Sequence, residues 1–195
     1  MVQAPAPQPQ LTFAEYLAYD DGTDNRYELV DGELVLLPPE SGINDGIATR
    51  LLVRLVRVIE PEELISLRCE LQVSGNPANR WPDLVILNAE HIALTENRRT
   101  ITLDMPPPRI VVEVVSPGSK NRKRDYQEKR RQYQKRGIPE YWIIDPQENL
   151  VLVLWLDESS IYQEDIYTGN QIVMSREIPE INELGLTAAQ ILKDR

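Results

Sequence analysis

Hydrophobic positions along this chain follow two periods, one of strands and one of helices. Residues 110–115 read Ile-Val-Val-Glu-Val-Val, apolar except for Glu113. Such a run predicts a strand buried on both faces. A helical pattern follows over about 121–136 and stops at Gly137, a residue suited to closing a helix in the left-handed conformation. A second apolar run, 140–144, ends at Asp145-Pro146. Strand, helix and strand in that order predict a βαβ-like unit.

Hairpins flank that unit. Residues 26–37 read as two strands around Asp31-Gly32, a strong short hairpin signal. Residues 150–156 and 160–167 read as another. Thr12 and Glu15 form a capping box opening a short helix to about residue 18. Asn44 is placed to cap a helix to about residue 59, with Ile47, Leu51, Leu55 and Val58 as its apolar stripe. Arg50, Arg54 and Arg57 form a second stripe, expected to be solvated. Residues 64–73 and 84–87 read as strands, and 88–108 as irregular. Thr187 can cap a last short helix. Residues 1–10, rich in Pro, Ala and Gln, predict a disordered tail, leaving 11–195 as one domain. The class is α/β, a mixed central β-sheet flanked by helices.

A hydrophobic content of 42% supports an ordinary globular core. No run reaches the roughly 18 apolar residues of a membrane span. The N-terminus lacks the basic-then-apolar pattern of a secretory signal, and Cys69 alone cannot form an internal disulfide. A cytoplasmic protein is expected. The net charge of −10 argues against nucleic acid until its distribution is considered. Residues 120–136 hold nine basic and two acidic side chains, a net of +7, which leaves −17 on the remainder. A basic segment on an acidic body can meet phosphate while the body discourages indiscriminate binding. It is also compatible with a plain solvated helix face.

Glu113 is the residue that raises a chemical question. A carboxylate inside a doubly buried strand is costly unless it is paired or binds something. An arginine partner and a metal ion both answer the need. Asp83 opens the strand at 84–87, and if the two strands are neighbours it lies beside Glu113 on one face. Two carboxylates so placed repel each other, and a divalent cation with a taste for hard oxygen, Mg²⁺ or Mn²⁺, would remove the conflict. Glu28, beside the first hairpin turn, is a third candidate ligand or an exposed strand residue. Asp125, Lys129 and Tyr133 recur at four-residue spacing and share a helix face. Lys129 then either points inward toward the carboxylates or forms an ordinary helix salt bridge to Asp125.

Other chemistries find little support. His91 is the single histidine, which disfavours a Ser-His-Asp triad or a histidine-rich zinc site, and no Gly-rich phosphate loop is present. Two carboxylates would serve a glycosidase, but such an enzyme leaves the basic helix without a purpose.

Five separated motifs occur in one order: Tyr27-Glu-Leu-Val-Asp-Gly-Glu, Trp81-Pro-Asp-Leu, Val112-Glu-Val-Val-Ser-Pro-Gly-Ser, Asp125 through Lys129 to Tyr133, and Gly137-Ile-Pro-Glu-Tyr-Trp-Ile-Ile-Asp-Pro. Together, from about residue 11 onward, they resemble the Uma-type family of restriction-endonuclease-like proteins in the PD-(D/E)XK nuclease superfamily. The resemblance implies a restriction endonuclease-like fold and Mg²⁺-dependent hydrolysis of DNA. Asp83 and Glu113 would be the catalytic ligands, with Glu28 as an additional acid. Val115 stands where the superfamily usually has its lysine, and Lys129 would take that role from the following helix. Lys120, Arg122, Lys123 and Arg124 would hold the DNA backbone, and a homodimer would cut both strands. The alternative is a catalytically silent nucleic-acid-binding or protein-interaction module on the same scaffold.

Overall fold

The strand carrying Glu113 lies in the middle of the largest sheet, and the fold is best followed toward it. A computed structural model describes residues 10–61 and 64–192. The tail expected over residues 1–10 lies outside them except for Gln10. The chain runs through helix α1 (Phe13–Leu17), strands β1 (Tyr27–Val30) and β2 (Glu33–Leu36), and helix α2 (Gly42–Leu55). Strands β3 (Ile65–Ser66), β4 (Glu70–Gln72), β5 (Asn79–Arg80) and β6 (Leu84–Ile86) follow, then α3 (Glu90–Leu94), β7 (Thr100–Ile101) and β8 (Ile110–Val114). A continuous helix comes next: α4 (Ser119–Lys123), a π-helical turn (Arg124–Lys129) and α5 (Arg130–Arg136). Strands β9 (Glu140–Asp145), β10 (Leu150–Leu156) and β11 (Tyr162–Thr168), a 3₁₀ helix (Pro179–Leu184) and α6 (Ala188–Leu192) complete it.

Six strands form the central sheet in the order β11-β10-β9-β8-β6-β3. Only β8 and β9 are parallel, with Glu113 opposite Ile143; the other pairs are antiparallel. A parallel pair needs a crossover, and the α4–π–α5 helix supplies it. Every residue of β8 and β9 is buried. A smaller sheet, β5-β4-β7, and the β1–β2 hairpin stand beside the main one.

Strand alternation divides the layers. Val112 and Trp142 meet Leu51 and Leu55 of α2 on one side. Burying each such leucine contributes on the order of 1.5–3 kcal/mol. Val111 and Glu113 face the other side, where Tyr133 of α5 packs edge to face on Tyr141 of β9 at 4.9 Å. Gly137 closes α5 in the left-handed conformation, φ +74°, as its position predicts. The first hairpin turns at Asp31 and Gly32, both at positive φ, the geometry that Asp-Gly favours.

Several local expectations are corrected. Ser41, not Asn44, caps α2; its side chain accepts the Asn44 N–H at 3.1 Å. Asn44 lies inside the helix, where its amide donates to the Val114 carbonyl and Ser116 Oγ, each at 2.9 Å. The predicted strand over 64–73 is two strands in two sheets, because the chain crosses between the sheets around Leu67, Arg68 and Cys69. The stretch 88–108 is not irregular throughout: it holds α3 and β7. No side chain of Ala89 can cap α3; His91 Nδ1 instead accepts the Asn88 N–H at 3.0 Å. Strand β5 is two residues long and has no sequence signature.

Asn44 ties α2 to the end of β8. Asn44→Ala leaves the Val114 carbonyl without this buried donor and is expected to lower stability by about 1–3 kcal/mol. A urea midpoint equal to the parent protein's would show that the amide is not needed.

Candidate active site

The antiparallel pairing of β6 with β8 sets Leu84 opposite Val112. One step back along that register places Asp83 across from Glu113. Asp83 Oδ2 accepts the Val114 N–H at 2.6 Å, which fixes its carboxylate over the end of β8. Glu113 is only 3% exposed. Its Oε2 lies 2.6 Å from Lys129 Nζ, and its Oε1 accepts from Tyr133 Oη at 2.6 Å. Lys129 Nζ also reaches Asp125 Oδ1 at 3.2 Å, and Arg124 Nε donates to that same oxygen at 2.9 Å. The π turn presents this line of charge: Asp125 and Lys129 are its two buried residues, and Tyr141 Oη donates to the Asp125 carbonyl at 3.0 Å. Such wide turns often mark functional positions in helices.

Burial governs the protonation of the cluster. It pushes the Glu113 carboxyl up, against the pull of Lys129. It also opposes the Lys129 charge, but the Glu113 and Asp125 carboxylates outweigh it and hold the ammonium above its usual value. Burial likewise opposes the Asp125 charge, yet Lys129 and Arg124 hold its carboxyl below the ordinary range. Asp83 has no such partner. Burial and then the charge of Glu113 push it up to about 8, which Lys129 offsets only in part.

A cavity of about 260 Å³ opens onto Asp83, Glu113, Lys129 and Arg124, with Glu28, Glu40, Ser116 and Asn121 also in its wall. Glu28 is engaged by Arg80 Nη1 at 3.1 Å. Arg80 is itself 2% exposed, and its Nε donates to Gln132 Oε1 at 2.8 Å. Among the described residues no three His, Cys, Asp or Glu side chains gather closely enough to hold an ion. Asp83 and Glu113 are the pair that the β6–β8 register brings side by side at this cavity, whose wall also holds Glu28 and Glu40. Burial and then the charge of Glu113 oppose ionisation of Asp83, and a divalent cation held by these two hard oxygen donors would relieve both.

The basic segment is more committed than its composition suggests. Arg122 pairs with the buried Asp145 and with Glu148, and stacks over Tyr126 at 4.6 Å. Arg124 faces the cavity while bound to Asp125. Lys120 and Lys123 are exposed. Spacing alone placed Tyr133 beside Lys129 but gave no hint of its bond to Glu113. Arg80, which orients Glu28, carried no signal in the sequence, and Asn44, which ties down the end of β8, signalled only a helix cap.

Comparison with known proteins identifies the family and the fold. The family described as "Putative restriction endonuclease" (Uma2) matches residues 13–189. Among solved structures, a crystal structure from Anabaena variabilis, described as a putative nuclease belonging to DUF820, superposes with a TM-score of 0.65. It is 18% identical and covers 93% of this chain and 97% of its own. The shared fold is the restriction endonuclease-like mixed α/β sheet. No curated protein matches the chain.

Two outcomes follow from the buried charges. Lys129→Met strands Glu113 without its cation and is expected to cost on the order of 3–5 kcal/mol, part of which Glu113→Gln recovers in the double variant. Additive urea midpoints would show that the two groups are not coupled. Asp83 has a folded pKa raised above its unfolded value, so the folded protein binds that proton more tightly. In chelator, stability should therefore fall as pH rises from about 4 to about 8, and Asp83→Asn should flatten the fall. Parallel profiles of thermal midpoint against pH for the two proteins would contradict it.

Proposed function

This chain belongs to the Uma2 family, a family of nuclease type, and from that premise we propose that it is a metal-dependent endonuclease of DNA. The observation that carries the reading is the convergence of Asp83, Glu113 and Lys129 on one cavity, with Asp83 left short of a counter-charge. Asp83 and Glu113 would hold Mg²⁺ or Mn²⁺. When bound, the ion lowers the pKa of a water and stabilises charge on the phosphate.

The chain's own groups complete the arrangement. The Val114 N–H orients Asp83, and Tyr133 orients Glu113. Lys129, held as an ammonium, is placed to position the attacking water and offset charge developing on the phosphate. Arg124 adds a second cation at the cavity wall. Glu28, paired with Arg80, serves as an outer acid. Exposed Lys120 and Lys123 supply backbone contacts that do not read sequence, and a homodimer would bring two such sites to the two strands.

A second reading is a silent nucleic-acid binder. It is favoured by the engagement of both Glu113 oxygens by Lys129 and Tyr133.

The deciding experiment is calorimetric titration with Mn²⁺, followed by cleavage of plasmid DNA, for the parent protein, Asp83→Asn and Glu113→Gln. Loss of a ligand's outer partner alone costs about 10–100-fold, so both variants should lose on the order of 100-fold or more in metal affinity and cleavage. Asp83→Asn should do so while remaining folded. A parent protein that binds DNA but neither Mn²⁺ nor cleaves would favour the silent reading.

A further inference from the structure

Beside the candidate active site lies a second cavity, of about 330 Å³, that the proposed reaction does not use. Trp81 stands in the walls of both. It precedes Asp83 by two residues, and its Nε1 donates to the Tyr27 carbonyl at 3.0 Å, which fixes the indole. The second cavity continues the aromatic wall through Tyr27 and Tyr19, which meet edge to face at 6.1 Å. Tyr19 is 42% exposed, a large aromatic face left to solvent.

The charged groups there divide into two kinds. Arg98 is committed to Thr100, the Leu17 carbonyl and the buried Glu70. Arg99 makes one long contact, to Thr95 Oγ1 at 3.4 Å, and Arg68 is exposed with no side-chain partner among the described residues. Both guanidiniums thus keep donors to spare. Opposing them in charge are Asp20 and Asp21. Bonds from Thr23 and then Tyr27 hold the Asp21 carboxyl below its usual range, so it is ionised.

This mixture selects among ligands. A bare phosphate would be drawn by the arginines and repelled by the aspartates. An apolar ligand would desolvate charges of both signs. A nucleotide offers a partner to each: phosphate for the guanidiniums, a ring for the aromatic face, and exocyclic amino groups for a carboxylate. A base must be unpaired to present its face to a side chain.

We propose that this cavity seats an unpaired nucleotide of the strand whose phosphodiester enters the candidate active site, with Tyr19 and Trp81 as the stacking surface and Arg68 on the phosphate. The proposal rests on the nuclease reading and adds to it a preference for single-stranded or locally opened nucleic acid.

The test is fluorescence anisotropy with a labelled single strand of about ten nucleotides and with its duplex, in chelator, so that binding is read without metal or cleavage. Tyr19→Ala should weaken single-strand binding by about tenfold and leave duplex binding unchanged. Arg68→Ala should weaken it and lower the slope of log affinity against log salt by about 1. Unaltered single-strand affinity in both variants, with metal-dependent cleavage retained, overturns the cavity assignment and leaves the nuclease reading standing. Equal losses for the duplex overturn the unpaired nucleotide. A parent protein that binds neither form in chelator yet cleaves plasmid DNA with Mn²⁺ overturns the cavity assignment alone, and one that neither binds nor cleaves overturns the nuclease reading as well.

Discussion

The buried pair of Glu113 and Lys129 is the interaction on which the rest of this structure depends. A doubly covered strand gains its stability from apolar burial, and a carboxylate in its middle works against that gain. The crossover helix must therefore deliver a cation to one point on β8, 2.6 Å from Glu113. That requirement sets the rotation of the helix, and with it the places of Asp125, Arg124 and Tyr133. Replacing such a pair with apolar residues is often neutral or stabilising. Stability alone therefore does not account for this pair.

Asp83 states the same tension in a different form. Glu113 receives a full counter-charge, whereas its neighbour across the strands receives one backbone N–H and the fringe of Lys129. The site keeps a carboxyl whose ionisation is opposed, poised at the mouth of a cavity. Pre-organised, under-neutralised carboxylates are costly in the resting protein and productive toward a cation, the usual relation between strain at a site and its chemistry.

The basic helix looks different in three dimensions from its composition. Arg122 serves Asp145 and Glu148, Arg124 and Lys129 serve the buried acids, and Arg130 reaches Glu164 at 2.6 Å. Arg122, Lys129 and Arg130 thus meet acids of the remainder, which matches part of the +7 of this segment. Lys120, Lys123, Arg131 and Lys135 still face solvent, and the arginine-bearing aromatic cavity beside Trp81 has no residue of this helix in its wall.

Strand β8, the crossover helix, its stop at Gly137, the Asp31-Gly32 turn and the C-terminal hairpin were readable because each rests on local physics: side-chain period, backbone conformation and turn chemistry. The same periods allowed Asp83 and Glu113 to match faces if their strands were neighbours, and left Lys129 open between Glu113 and Asp125, both of which it meets. Strands β5 and β7 were not readable, since two-residue strands are defined by their partners and not by a pattern of their own. Asn44 has the chemistry of a cap, and only the packing of α2 on β8 turned its amide to Val114. Glu28 stands in the cavity wall, and its pairing with Arg80, 52 positions away, carried no signal along the chain. Local sequence thus determined the elements and which residues face inward. Tertiary structure decided which buried charge meets which, because electrostatic partners are chosen by distance in space and carry no period along the chain.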